Sequence, residues 1–237
     1  MKNEELRMKN FYKRISLLVV CLIFHSSFFI LHSQTFDLAG AGGYEVSKDL
    51  GRFFDASLSQ EVRFNQNVTN YCRFETTAEA NYNFWRKQAK VGVLYSFINK
   101  ENSDYLYENR HRFTLQAAYK HEFIKWKLSW RGRFQTTFRD ETRGDYKINP
   151  KNYLRNRVQV DYIIRGSRFK PSLSCEFFYQ LNNPDHNIID QIRATVGTDY
   201  VLTRRSSLEV FLRYDKEIQV KTPAGVLMLG VFYKYKF

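Results

Sequence analysis

Residues 124–139 decide the fold class. Ile124, Trp126, Leu128, Trp130, Gly132, Phe134, Thr136 and Phe138 alternate there with Lys125, Lys127, Ser129, Arg131, Arg133, Gln135, Thr137 and Arg139. Successive side chains of a strand point to opposite faces, so this order gives one greasy face and one wet face. A helix of the same sequence would scatter its charges around the whole cylinder.

The period of two recurs. Leu154, Asn156, Val158, Val160, Tyr162 and Ile164 interleave with Arg155, Arg157, Gln159, Asp161, Ile163 and Arg165, with Ile163 the one exception. Segments of the same character run through 36–46, 52–64, 71–84, 88–98, 106–120, 171–181, 189–202, 207–215 and 225–237, making eleven in all. Short joins near 47–49, 86–87, 121–122, 166–167 and 204–206 alternate with longer polar connections around 65–70, 99–104, 140–150, 182–187 and 216–224. Alternating short turns and long loops describe an up-and-down meander, and outer-membrane barrels place the long loops outside.

Alternation alone does not separate a soluble barrel, greasy inside, from a membrane barrel, greasy outside. Three features favour the membrane. The polar phase carries both signs of charge, with Arg73, Glu75 and Glu79 on one segment and Glu209, Arg213 and Asp215 on another, as an ion-paired lumen would. Aromatic residues make up 17% of the chain and sit mainly on the apolar phase, as lipid-facing girdles do. The chain also closes on an aromatic strand in which Tyr233, Tyr235 and Phe237 share one phase. The expected fold is therefore all-β, an antiparallel up-and-down transmembrane β-barrel of ten to twelve strands. Bacterial barrels prefer an even number. Ten strands from Arg52 onward satisfy the loop alternation, which leaves the glycine-rich segment 36–46 as an extra strand, a plug or half of a pair.

The 237 residues suffice for one domain. The apolar stretch 15–31 lies behind Lys9, Lys13 and Arg14 and reads as a secretory signal peptide, giving residues 1–33 as leader and 34–237 as barrel, with Gln34 first in the mature chain. Glu4 and Glu5 are unusual in such a leader and point to Met8 as an alternative start. A helical anchor is the rival, weakened by His25, Ser26 and Ser27. Val19 and Val20 before Cys21 argue against lipidation there. Cys72 and Cys175 have no metal or redox spacing and fall on apolar phases. The net charge of +13 invites a nucleic-acid reading, but the arginines alternate with apolar residues and share their phase with acids, so no nucleic-acid partner is expected.

Arg110, Arg112, Arg131, Arg133, Arg155, Arg157, Arg193 and Arg213 share the inward phase with Glu61, Glu75, Glu79, Glu108, Asp161, Glu176, Asp199 and Glu209. They are the candidate lumen residues, read either as a passage closed by mutual salt bridges or as a charged passage or anion site. The competing class is a lipid-modifying enzyme. His111, His121 and His186 are the histidines beyond the leader, and none stands in an evident catalytic arrangement. No catalytic residue, metal site or cofactor is assigned.

Glu108, Asn109, Arg110, His111 and Arg112, then residues 151–157 from Lys151 through Arg157, and finally Tyr233, Lys234, Tyr235, Lys236 and Phe237 resemble an uncharacterised family of bacterial outer-membrane barrels, domain of unknown function 2490. The resemblance covers nearly all of the mature chain and implies a location and a fold without an activity. The expected function is that of an outer-membrane barrel with a polar, ion-paired lumen and a structural, binding or narrow-pore role, in a monomer. Its expected partners are outer-membrane lipid and the barrel-insertion machinery, with Tyr233, Tyr235 and Phe237 as the assembly signal.

Overall fold

A computed structural model describes residues 35–101, 106–143, 148–184, 186–220 and 223–237. The leader 1–33 lies outside them. Eleven strands follow one another: β1 (Thr35–Leu50), β2 (Phe54–Asn65), β3 (Asn70–Phe84), β4 (Ala89–Glu101), β5 (Tyr107–Phe123), β6 (Trp126–Arg139), β7 (Lys151–Tyr162), β8 (Phe169–Gln180), β9 (Ile188–Val201), β10 (Ser206–Glu217) and β11 (Ala224–Lys236). Each pairs with its sequence neighbour in antiparallel register, and β1 meets β11 to close the wall.

That closure departs from the even count. An odd meander brings its first and last strands together pointing the same way, and β1 runs parallel to β11 from Thr35 opposite Ala224 to Ser47 opposite Lys236. Segment 36–46 is thus a full wall strand, longer than its pattern suggested because it continues to Leu50. The first tight turn therefore falls at 51–53, with Gly51 in the left-handed region at φ 85°, and not at 47–49. Similarly, β5 absorbs His121 and Glu122, and the β5–β6 turn moves to Ile124 and Lys125. Ile163 ceases to be an exception because β7 ends at Tyr162; its N–H donates to the Lys125 carbonyl at 2.7 Å.

The apolar phase lies outside. Val93, Phe113, Leu115, Phe134, Leu173, Val196 and Leu229 project outward and are well exposed, while Gln116, Gln135, Thr137 and Glu176 on the opposite phase are buried within the barrel. The turns near 51–53, 85–88, 124–125, 163–168 and 202–205 form one rim. The connections 66–69, 102–106, 140–150, 181–187 and 218–223 form the other. At the long-loop rim the Asp37 carboxylate accepts from the N–H groups of Gln66 and Asn67 at 3.0 and 3.1 Å, and Asn149 bridges to both the N–H and the carbonyl of Arg139.

Three inward phenylalanines interrupt the charged lining. Phe211 and Phe232 lie 5.9 Å apart, centroid to centroid. They press against wall glycines: a side chain at Gly43 would meet Phe232 and the Gln60 carbonyl, one at Gly230 would meet the Phe211 ring, and one at Gly197 would meet the Phe211 Cβ. The glycines thus let two rings lie against the wall. The third aromatic, Phe178, carries the Arg155 guanidinium 4.4 Å above its ring and that of Arg193 at 5.0 Å.

Candidate functional site

Residues two apart on a strand share a face, so a Glu–x–Arg spacing places an ion pair inside the barrel without help from the rest of the fold. Glu61 pairs with Arg63 on β2, Glu75 with Arg73 on β3 and Glu108 with Arg110 on β5. Longer-range pairs depend on register. Across β6–β10, Arg131 faces Arg157, Arg157 faces Glu176, Glu176 faces Arg193 and Arg193 faces Asp215. Two arginines directly opposite repel, and Glu176 offsets that. Its carboxylate accepts from Arg131 at 3.2 Å and from Arg155 at 3.1 Å, with Arg193 at 3.8 Å. Arg193 also holds Asp215 through two nitrogens at 2.5 and 2.9 Å. Such forked pairing is the strong geometry for arginine and carboxylate.

A second cluster gathers around β3. Arg112 reaches Glu75 at 3.2 Å, and Glu79 accepts from Lys90, Asn81 and Gln116 with Arg133 at 4.0 Å. Toward the short turns Lys127 pairs with Asp161 at 2.9 Å, and Lys234 bridges Asp199 and Glu209 at 2.9 and 2.8 Å. Among the described residues, Arg157 and Arg213 have no carboxylate within ion-pair distance; Arg213 instead lies 4.5 Å above the Phe211 ring.

Two cavities occupy the lumen. One of about 610 Å³ opens toward the long loops and one of about 570 Å³ toward the short turns. Glu45, Arg131, Arg133, Arg157 and Gln159 line both, which makes them the waist between the two. The larger cavity is lined by fourteen lysines and arginines against six acids. Buried Nε atoms of Arg73, Arg131, Arg155 and Arg213 have no hydrogen-bond partner there. The lining thus carries a surplus of bases, part of it offset by Glu79, Glu108, Asp190 and Asp215, which pair with Arg133, Arg110, Lys151 and Arg193 from beside the cavity.

Arg110, Arg112, Arg131, Arg133, Arg155, Arg157, Arg193 and Arg213 all line this chamber, as does Glu176, whereas Asp161 lines the smaller cavity. Arg63, Lys100, Lys151, Phe178, Phe211 and Phe232 also line the chamber, and each was legible only as a phase-mate of a nearby charged residue. The histidines stand apart from it. His111 lies on the outer face, with its Nδ1 2.8 Å from the Tyr95 hydroxyl, His121 packs on the Phe123 ring, and His186 is exposed in the 181–187 connection. Tyr233, Tyr235 and Phe237 project outward at the short-turn end of β11, Tyr235 and Phe237 with ring centroids 4.9 Å apart. Cys72 and Cys175 are free thiols.

Glu176 is only 3% exposed at its side chain and serves three arginines, so removing its charge leaves them uncompensated. Glu176→Gln, nearly equal in shape, should destabilise the barrel by about 3–5 kcal/mol, the usual cost of breaking a buried ion pair. The check is the urea midpoint of the refolded protein in detergent. The two-residue pair Glu61–Arg63, replaced together by Gln and Met, should shift the midpoint much less.

Solved structures similar to this chain include two at low sequence identity. One is an anion-selective porin from Comamonas acidovorans, at 17% identity and TM-score 0.35, covering 73% of this chain and 51% of that one. The other is the β domain of the Bordetella autotransporter BrkA, at 9% identity and TM-score 0.41, covering 73% of this chain and 78% of that one. The chain thus spans about half the length of the porin it matches. No curated protein matches its sequence. A family profile does match, over residues 42–222, and by it the chain belongs to DUF2490, a family of proteins of unknown function.

Proposed function

We propose that this protein spans the outer membrane of a bacterium as a monomeric barrel, with a narrow, electropositive lumen that admits or holds small anions. The observation that carries the reading is the inside-out distribution of side chains, charge within a closed wall and apolar residues without. Phe113, Leu115, Val93 and Leu173 lie on an outer face that water would not tolerate as a continuous band, and such a band marks a membrane or a protein partner. The strands run to 12–17 residues, more than the roughly 9–11 that a tilted crossing needs. A closed wall leaves no backbone edge facing lipid.

Within the lumen, the ion pairs keep the wall together and the excess of bases sets the sign. Cations meet a net excess of like charge in the larger chamber, while anions find the guanidinium of Arg157, which has no carboxylate within ion-pair distance, at the waist. The terminal aromatics Tyr233, Tyr235 and Phe237 serve the same reading as the strand presented to the insertion machinery. The long loops, 140–150 among them, then face outward from the cell and the short turns face the periplasm.

Planar-bilayer recording of the purified protein should show small conductance steps with anion preference, and Arg157→Ala should enlarge the steps by opening the waist. Silence of both proteins would sink the passage and leave a closed structural barrel. The membrane crossing has its own test. Phe134→Arg, on an outward position 42% exposed, should impair insertion at a cost of about 2–4 kcal/mol if it lies near the bilayer midplane, whereas Ser129→Arg on the lumen face should insert. Gln135→Arg is the poorer control because Gln135 is buried and accepts from Arg155 at 2.9 Å, so a further cation there meets like charge. Deletion of Phe237 should slow assembly in cells, read as loss of heat-modifiable migration at low expression. Normal assembly would reduce Phe237 to an ordinary girdle residue.

A further inference from the structure

The outer charges of the barrel are segregated by rim. Among the described residues, every exposed lysine and arginine lies at the short-turn end. The β1–β2 turn carries Arg52, the β3–β4 turn Arg86 and Lys87, and the β5–β6 turn Lys125 with Lys120 just before it. The β7–β8 turn carries Arg165 and Arg168 with Lys170 after them, and the β9–β10 turn Arg204 and Arg205. Lys48 and Lys236 complete the ring. Its exposed acids are Asp49 and Glu122, and Asp49 is already engaged by Lys236 at 3.0 Å and Lys87 at 3.4 Å.

The opposite rim differs. Its exposed charged side chains, among the described residues, are Glu141 and Glu217. By sequence alone the remaining loop positions add Asp104, Asp145 and Asp185 against Arg143, Lys147 and Lys221, which cancel. The positive ring is thus a property of one end of the barrel.

A ring of cations could be no more than a solvated edge, but here each turn interleaves its cations with exposed apolar side chains. Arg52 precedes Phe53 and Phe54, with its guanidinium 5.3 Å from the Phe53 ring. Trp85, 70% exposed, precedes Arg86; Ile124 and Trp126 flank Lys125; Ile164 precedes Arg165; Phe169 follows Arg168; Leu202 precedes Arg204; and Phe237 follows Lys236. Rings such as these settle at the level of lipid headgroups, their greasy bodies toward the acyl chains. Cations one or two residues away then reach the phosphates, since long basic side chains extend their charge away from apolar surroundings. A soluble acidic partner would account for the charge and not for the exposed apolar side chain that each cationic turn carries.

We propose that the short-turn rim is a binding surface for anionic phospholipid headgroups, a ring of sites for singly charged phosphodiesters in the leaflet it faces. The proposal rests on the membrane reading above and adds lipid selectivity to it. Attraction of this kind is electrostatic, grows with each Lys or Arg near the surface and decays within a Debye length. It therefore weakens in salt.

The protein carries its own reporters. Of three tryptophans in the chain, Trp85 and Trp126 sit at this rim, exposed beside Arg86 and Lys125. The full-length protein, refolded into phosphatidylcholine vesicles, is compared for tryptophan quenching by brominated phosphatidylglycerol and by brominated phosphatidylcholine at equal mole fraction. Phosphatidylglycerol should be favoured about two- to fourfold at low salt, falling toward unity in about 0.5 M salt. The combined variant Arg86→Gln, Lys125→Gln, Arg165→Gln and Arg168→Gln changes exposed side chains that make no ion pair, and it should lose the preference while still floating with the vesicles. Equal quenching by both lipids in a protein that floats and shows heat-modifiable migration would overturn the lipid site and leave the membrane reading intact. A protein that floats with no vesicle would overturn both. Displacement of phosphatidylglycerol from the rim by equimolar lipopolysaccharide would overturn the assignment to phospholipid.

Discussion

A wall of strands exposes no unpaired backbone only if it closes on itself, and everything else in this molecule follows from that closure. Each strand hydrogen-bonds to two neighbours, so none has an edge to offer to lipid or to another chain. Closure also divides the side chains. With a period of two, half of every strand must face an enclosed lumen and half the surroundings. Once the apolar half faces out, the charged half has nowhere to go but inward. The lumen is not an option added to the barrel; it is the other side of the same alternation.

Charges confined there must pair or pay desolvation, and the pairing has two ranks. Pairs written within one strand, such as Glu75 with Arg73, need only the strand. The Glu176 cluster needs the register of β6 through β10 to be right, because Arg131, Arg193 and Arg155 come from three other strands. A slip of one residue in any of these pairings would turn a guanidinium to the outer face and a leucine or phenylalanine inward. The buried network thus helps to specify register as well as to fill space. Its surplus of bases, unlike its pairs, adds nothing to the stability of the wall, and for that reason the surplus carries the functional reading.

The sequence was most informative where chemistry repeats. Period two gave the strands, the two phases of Trp130 and Arg131, and the eight inward arginines. It was less informative at the ends, where a turn and a strand end use similar residues. His121 and Glu122 look like a turn because they are polar and follow Lys120, yet the chain reverses at Ile124, 88% exposed, whose apolar side chain argued for a strand. The parity of the barrel was not legible, since a glycine-rich strand such as β1 offers few side chains to show its phase. Nor were the partners of Glu176, because cross-barrel neighbours depend on register that no single strand encodes. The inward phenylalanines were hidden for a different reason: Phe178, Phe211 and Phe232 occupy polar-phase positions, and their accommodation depends on glycines and arginines contributed by other strands.

The parallel seam between β1 and β11 sets the order in which the barrel can be made. Ten of the eleven strand pairings join sequence neighbours through connections of two to eleven residues, so each hairpin can zip locally with little loss of chain entropy. The eleventh joins Thr35 to Ala224, and no turn guides its register. Contacts so distant in sequence come late, after the intervening chain has been organised. A curved, ten-hairpin sheet with two open edges is then the natural intermediate, and its lifetime is the interval during which unpaired strands can recruit a foreign one. The last strand is the place where a catalyst of assembly has most to gain, by holding β11 until β1 arrives.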